Sequence, residues 1–229
     1  MTSATDSDLP RIRSFALGPY QTNCHVVTVP GHDGCWVVDC GMEPEPLLAH
    51  LRTIDERVEA IILTHAHVDH IAGLDRLRSQ VGAKVGAQVG DEVPLLAHES
   101  ERGWCSEPML NLSAALDVPI SVAEPTKWLQ GGETLRLGAT EWSVLHLPGH
   151  SPGCIALVHA PSDQAIVGDT LFAGSIGRVD FPTSDPEAMV RSLRTMLDTM
   201  PDSMRILPGH GPTTTIGQER RANPFLQQL

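Results

Sequence analysis

The chain has 229 residues, 41% hydrophobic and 19% charged, with a formal net charge of −12. That length can bury a substantial core, and so acidic a balance excludes the basic stripes of a nucleic-acid surface. No run approaches the roughly 18–20 apolar residues needed to cross a bilayer.

In chain order, residues 1–10 are polar and acidic, with no basic n-region or apolar h-region. They read as a short disordered tail rather than a secretory signal, leaving residues 11–229 as one domain of a cytoplasmic protein. Pro46–Thr53 reads as the first helix. Val58, Ala60, Ile61, Ile62 and Leu63 form a short apolar strand, which runs into Thr64-His65-Ala66-His67-Val68-Asp69-His70. Residues two apart point to different faces of a helix, so this spacing suits an extended loop leaving the strand. Ile71, Leu74 and Leu77 then recur at helical spacing, which predicts a helix over Asp69–Gln80 stopped by Gly82. Pro186–Leu197 is the best-formed helix. Ser184 or Asp185 is its N-cap, Pro186 sits in its first turn, and Met189, Val190, Leu193, Met196 and Leu197 form its apolar stripe. Gly 20 and Pro 18 exceed their average share of about 12%, which fits many short turns between strands.

Three further strands each end in a Gly- or Pro-bounded turn that carries one ligand-type residue. Trp142–Leu147 leads to Pro148-Gly149-His150-Ser151-Pro152-Gly153. Ala165–Val167 leads to Gly168-Asp169-Thr170, and Arg205–Leu207 leads to Pro208-Gly209-His210-Gly211-Pro212. Such turns fix the backbone and let it approach a ligand closely. Neutral imidazole and carboxylate are ligands of zinc, iron and manganese. His65, His67, Asp69, His70, His150, Asp169 and His210 suffice for two ions: His65, His67 and His150 for the first, Asp69, His70 and His210 for the second, and Asp169 as a bridge. Surface histidines with no metal are the competing reading, and it must explain three imidazoles and a carboxylate between His65 and His70.

The five cysteines (24, 35, 40, 105 and 154) are odd in number and lack paired spacing, so they read as reduced thiols acting as small buried hydrophobes. The sequon Asn111-Leu112-Ser113 carries no meaning in a cytosolic chain. His25, His32, His50, His98, His146 and His159 are isolated and read as structural or surface residues; support of a ligand by His146 is the less favoured alternative.

Taken together, the seven ligand-type residues resemble the metallo-β-lactamase-fold hydrolases, whose binuclear signature is His-x-His-x-Asp-His followed by separated His, Asp and His. The resemblance runs from about Ser14 to about Phe225. Asn23-Cys24 and Val38-Asp39-Cys40-Gly41 resemble the family's early strands and structural Asp turn. The implied fold is α+β, a four-layer αβ/βα sandwich, where the pattern alone gives many strands with a few outer helices. Gly168-Asp169-Thr170-Leu171-Phe172 and Gly177-Arg178-Val179-Asp180-Phe181 resemble the glyoxalase II and persulfide dioxygenase branch. The run from Gly209 to Gly217, with Glu219-Arg220 and Asn223-Pro224-Phe225, resembles the short single-domain glyoxalase II-like proteins. Long-form glyoxalase II has a helical C-terminal domain that helps hold glutathione, and this chain ends before one.

The resemblance implies a hydrolase with two divalent metal ions, zinc first and iron or manganese accepted by the same donors. Its substrate would be a small-molecule thioester, an S-2-hydroxyacyl thiol such as S-lactoylglutathione, with no nucleic-acid or membrane partner. Asp69 would be catalytic as well as a ligand, orienting the nucleophile as a hydrogen-bond acceptor. Arg178 would bind a substrate carboxylate through its planar fork, against the alternative of an Arg tying two loops together. Arg220 and Arg221 are weaker candidates. The rival enzymes are a mononuclear-iron persulfide dioxygenase, which shares Gly-Arg-x-Asp-Phe, and a lactonase of the same fold; a non-catalytic metal-binding protein ranks last. A β-lactamase is disfavoured because Asp169 stands where those enzymes usually have a Cys, and an electron carrier of the flavodiiron type because that branch has Glu at the position of His67.

Overall fold

The computed structural model describes residues 9–84 and 93–229, so the expected tail over residues 1–10 lies almost wholly outside the described residues. The chain gathers into two compact units, residues 1–129 with 136–140, and residues 130–135 with 141–229.

The first unit holds a six-stranded sheet in simple chain order: β1 (Arg11–Leu17), β2 (Thr22–Thr28), β3 (Gly34–Val38), β4 (Arg57–Ile62), β5 (Leu95–His98) and β6 (Lys127–Leu129). β1, β2 and β3 pair antiparallel, and β3 to β6 pair parallel. Every residue of β3 is buried, which is why it reads as a continuous apolar run rather than an alternation. Among the described residues three α-helices accompany this sheet: α1 (Glu45–Thr53), α2 (Val68–Ile71) and α3 (Leu74–Lys84). Leu47 and Leu51 of α1, Ile71 of α2, and Leu74 and Leu77 of α3 share one core with Val37, Ile61 and Leu95. Each such fully buried side chain contributes about 1.5–3 kcal/mol.

The helix expected over Asp69–Gln80 is in fact two, with the break at Ala72 and Gly73. Tertiary hydrogen bonds override the apolar period there. Cys40 N–H donates to the His70 carbonyl (2.8 Å), and Gly73 N–H donates to the Cys40 carbonyl (2.9 Å). A Cβ on Gly73 would run into the Gly41 carbonyl oxygen and come within 2.8 Å of Cys40 Sγ. Gly82 does not stop α3, which continues to Lys84; a helical glycine costs only about 1 kcal/mol.

The second unit carries the other six-stranded sheet. Its strands in chain order are β7 (Thr134–Leu137, whose residues divide between the units), β8 (Thr140–His146), β9 (Ile155–His159), β10 (Gln164–Gly168), β13 (Arg205–Pro208) and β14 (Thr214–Thr215). They lie in the order β14-β13-β10-β9-β8-β7, with β11 (Leu171–Phe172) and β12 (Ser175–Ile176) forming a separate small hairpin. β10 and β13 pair parallel, so their carboxyl ends point the same way. Two helices complete the unit, α4 (Pro186–Thr199) and α5 (Ile216–Ala222). Asp185 is the N-cap of α4, its carboxylate accepting from Ala188 N–H at 2.9 Å. Ser184 instead donates to the His150 carbonyl at 2.7 Å. Met189, Leu193 and Met196 of α4 pack with Val167 and Ile206 of the sheet, while Val190 and Leu197 are only half-buried.

Gly73→Ala should lower stability by about 1–3 kcal/mol, the usual cost of forcing a group into packed space. The check is urea denaturation, where the midpoint should fall with no change in slope.

Candidate metal centre

The order of the first unit's ligand-type side chains begins with Asp39, at the end of β3. Its backbone is left-handed, with φ +60°, a conformation Asp tolerates better than most residues. That turn aims a buried carboxylate at the chain leaving β4. The carboxylate accepts from Thr64 N–H (2.8 Å) and Thr64 Oγ–H (2.7 Å), and lies 2.8 Å from Nδ1 of His70. A carboxylate only accepts, so His70 Nδ1 carries the proton. Thr64 gives its single hydroxyl proton to Asp39 and therefore accepts from Nδ1 of His65, 3.2 Å away. In both rings Nε2 is then the basic nitrogen, the atom a metal takes when Nδ1 is held this way.

These rings are packed together, His65 lying 4.8 Å from His67 and 4.1 Å from His70 between centroids. Asp69 is half-buried on the one-turn helix α2. Its Oδ2 accepts from Thr22 Oγ–H at 2.9 Å and lies 3.5 Å from Nε2 of His70. The structure thus brings His65, His67, Asp69 and His70 into one cluster.

A second segment, residues 101–111, grips the same loop at three consecutive positions. Glu101 Oε2 accepts from Ala66 N–H at 2.5 Å. The Trp104 ring lies 5.7 Å from the His67 ring, and the Asn111 carbonyl accepts from Val68 N–H at 2.8 Å. Asn111 is wholly buried, and its amide donates to the carbonyls of Trp104 and Ile120. So the sequon asparagine is a structural residue with no room for a glycan. Glu101, Trp104, Thr22 and Thr64 were missed by sequence reasoning, since their partners lie outside any local pattern; Asp39 carried a signal only through the resemblance.

In the second unit the three expected turns bring His150, Asp169 and His210 together. Asp169 Oδ2 lies 3.5 Å from Nε2 of His150 and 3.4 Å from Nε2 of His210. His150 Nδ1–H donates to the Arg178 carbonyl at 2.8 Å, which again leaves Nε2 as the basic nitrogen. His146 Nε2–H donates to the Pro152 carbonyl at 2.8 Å and so braces the turn that carries His150. Gly209 N–H donates to the Gly168 carbonyl at 2.8 Å, joining the roots of the other two turns. Gly177 packs so closely on Asp169 that a Cβ there would strike the Asp169 carbonyl oxygen and approach His150 Cβ to 3.2 Å.

The spacings fit a shared ion better than hydrogen bonds. Bonds of about 2.0–2.1 Å to a tetrahedral ion set neighbouring ligand atoms about 3.3 Å apart, whereas N–H···O hydrogen bonds fall at about 2.7–3.2 Å. The carboxylate–imidazole separations here are 3.4–3.5 Å. One oxygen of Asp169 faces two imidazoles at this spacing, as a shared carboxylate would. All donors are nitrogen and oxygen, a set that zinc, iron and manganese accept.

Arg178 is exposed and makes a bidentate pair with Asp180, both bonds 2.9 Å, while its guanidinium lies 4.5 Å from the centroid of the Phe181 ring. The hydrogen bond to Asp180 raises the Arg178 pKa and holds the Asp180 carboxyl below its usual value. The fork expected to meet a substrate carboxylate thus already holds one from its own chain. Phe181 in turn sits edge-on to His150, 5.6 Å between centroids. Arg220 binds Asp202 and the Leu197 carbonyl, a structural role, and Arg221 is exposed.

Away from the two clusters, His25 bonds Ser14, His32 bonds Glu59, His98 accepts from Ser100 N–H and His159 bonds Ser162. His50 stacks on Phe15, and burial lowers its pKa together with the nearby Arg13 charge. All five cysteines are buried and none is in a disulfide. Burial pushes the Cys105 thiol up to about 12 and raises Cys24 and Cys40 as well, so none of these three is a thiolate at neutral pH.

Comparison with known proteins agrees with this chemistry. The family model described as the metallo-beta-lactamase superfamily matches residues 17–210. A hydroxyacylglutathione hydrolase of Haemophilus influenzae is 34% identical over 217 residues, covering 94% of this chain and 97% of its own. Among solved structures, BLEG-1, titled a B3 metallo-beta-lactamase, is 35% identical with a TM-score of 0.84, covering 94% of this chain and 99% of its own. TTHA1623, solved in a di-iron-bound form, is 37% identical with a TM-score of 0.78, covering 93% of this chain and all of its own, 100%.

Asp39→Asn would set an amide against Nδ1–H of His70 and the Thr64 donors. The expected result is metal affinity lower by about 10–100-fold, as for other outer-shell changes, measured by competition with a chromophoric chelator.

Proposed function

The chain belongs to the metallo-β-lactamase superfamily, and we propose that it is a binuclear metal-dependent hydrolase that cleaves a thioester to a 2-hydroxy acid and a free thiol. The observation that carries this reading is Asp169, whose single oxygen faces two imidazole nitrogens at 3.5 and 3.4 Å. The substrate class, an S-2-hydroxyacyl thiol such as S-lactoylglutathione, is supported by the 34% identical relative that bears the name hydroxyacylglutathione hydrolase. Two ions are supported by the di-iron form of the 37% identical TTHA1623. We assign zinc as the working metal, since thioester hydrolysis needs no redox change. The buried cysteines, none of them in a disulfide, suit a reducing cytoplasm, and among the described residues no helix is long and apolar enough to cross a membrane.

In this reading His65, His67 and His150 would hold one ion, Asp69, His70 and His210 would hold the other, and Asp169 would serve both. When bound, the ions would supply Lewis acidity for the acyl oxygen and a water nucleophile at neutral pH. Asp69, its carboxylate fixed by Thr22, would accept a hydrogen bond from the attacking water. The departing thiolate, whose pKa is about 8.5 like that of a free Cys, needs little acid assistance, so no side-chain nucleophile or acid is assigned. Arg178 binds the carboxylate of the thiol carrier by exchanging its fork from Asp180. Both groups are exposed and screened by solvent, so the exchange costs little.

A second reading is favoured by one observation: BLEG-1, titled a B3 metallo-beta-lactamase, is 35% identical over 94% of this chain. β-Lactam opening is also acyl transfer to water, and the same donors could serve it.

Zinc-loaded protein should cleave S-lactoylglutathione without oxygen and lose that activity to chelators. Inertness toward thioesters, alongside cephalosporin hydrolysis by the zinc form or oxygen uptake on a persulfide by the iron form, would refute the assignment. Arg178→Ala should raise KM with kcat largely kept, because uniform binding is lost. Unchanged kinetics on the natural thioester would remove Arg178 from the substrate site.

A further inference from the structure

Glu219 is a carboxylate only 1% exposed, on α5, with no part in the clusters described above. A charge taken out of water at such a place is costly unless it is hydrogen-bonded. Its bonds go to the segments that follow the Asp169 and His210 turns. Oε2 accepts from Gly174 N–H at 2.7 Å, in the turn between β11 and β12, which follows Asp169. Oε1 accepts from Thr214 Oγ–H, at the far end of the turn that carries His210. Asn223, one helical turn on, donates to Glu219 Oε2 (2.9 Å) and to the Ser175 carbonyl (3.0 Å).

Asp169 follows β10 and leads into the β11–β12 hairpin, which lies outside the six-stranded sheet, whereas the His210 turn runs from β13 to its antiparallel partner β14. Glu219 ties the tip of that hairpin to Thr214 of β14. The clamped hairpin also touches a ligand directly, since the Phe172 ring packs edge-on against His210 at 5.9 Å. We propose that Glu219 is a positioning residue for the metal pair. By tying the Asp169 and His210 turns to one helix, it holds their side chains at the 3.4 Å separation that a shared ion requires. This inference rests on the reading of Asp169 and His210 as ligands.

The test compares wild-type protein with Glu219→Gln, Thr214→Val and Thr214→Ser. Gln keeps the shape but turns an NH2 group toward donors. Val removes the hydroxyl at nearly constant volume, while Ser retains it. Apo protein is titrated with Zn2+ against a chromophoric chelator, and with Co2+ while its visible ligand-field absorption is recorded. Glu219→Gln and Thr214→Val should weaken binding of one of the two equivalents by about tenfold or more, the scale of outer-shell effects. They should also alter the cobalt spectrum, and Thr214→Ser should restore both. A merely structural Glu219 would lower the unfolding temperature and leave the cobalt spectrum of the folded variants unchanged. Wild-type metal uptake with unchanged affinity and spectrum in both disruptive variants overturns this inference alone. Wild-type protein that takes up no metal sinks the metal reading, and this inference falls with it.

Discussion

The carboxylate of Asp39 is the point on which the order of the first unit's cluster depends. A buried charge is tolerated only where donors surround it, and its donors here are a backbone amide, a hydroxyl and an imidazole N–H. Satisfying that one charge fixes the start of the histidine loop at Thr64 and the proton on Nδ1 of His70. Through the Thr64 hydroxyl it fixes the proton on Nδ1 of His65 as well. The direction of two ligand atoms therefore follows from where β3 ends. The left-handed turn at Asp39, φ +60°, is what delivers the carboxylate there.

The second unit's cluster reaches the same tautomer by different means. His150 is oriented by a backbone carbonyl, that of Arg178, and the turn carrying it is braced by His146 and Ser184. Close approach replaces charge at Asp169, whose carbonyl lies against the bare Cα of Gly177. Here the chain's glycines and loop-to-loop hydrogen bonds do what a buried carboxylate does in the other unit. Arg178 shows the same economy. Its carbonyl orients His150, while its side chain is held to Asp180 and over Phe181.

What could be read in the sequence was local. His-x-His-x-Asp-His and the three strand–turn units each fit in a dozen residues, and each was found where the pattern put it. The helix Pro186–Leu197 was legible for the same reason, although choosing between Ser184 and Asp185 as its cap required the geometry of Ala188 N–H. The split between α2 and α3 was not legible, because the period of Ile71, Leu74 and Leu77 continues through it. The break is imposed by Cys40 and Gly41, some thirty residues earlier. Glu101 and Glu219 were invisible for a related reason. A lone glutamate in a polar stretch signals solvent exposure, and only the fold reveals that both are 1% exposed.

The one-turn length of α2, Val68–Ile71, has a consequence for how the protein comes together. A single turn lies well below the length at which a helix holds itself in water. The segment bearing Asp69 and His70 thus has no shape of its own until β3 has presented Cys40 and Asp39 to it. Those side chains take their arrangement from the fold and not from the segment itself. The unfolded chain still brings His65, His67, Asp69 and His70 close in sequence but not His150, Asp169 or His210, so an ion stabilises the native state only by the margin with which it prefers the complete set. Metal supply would then bear on how long the protein stays folded.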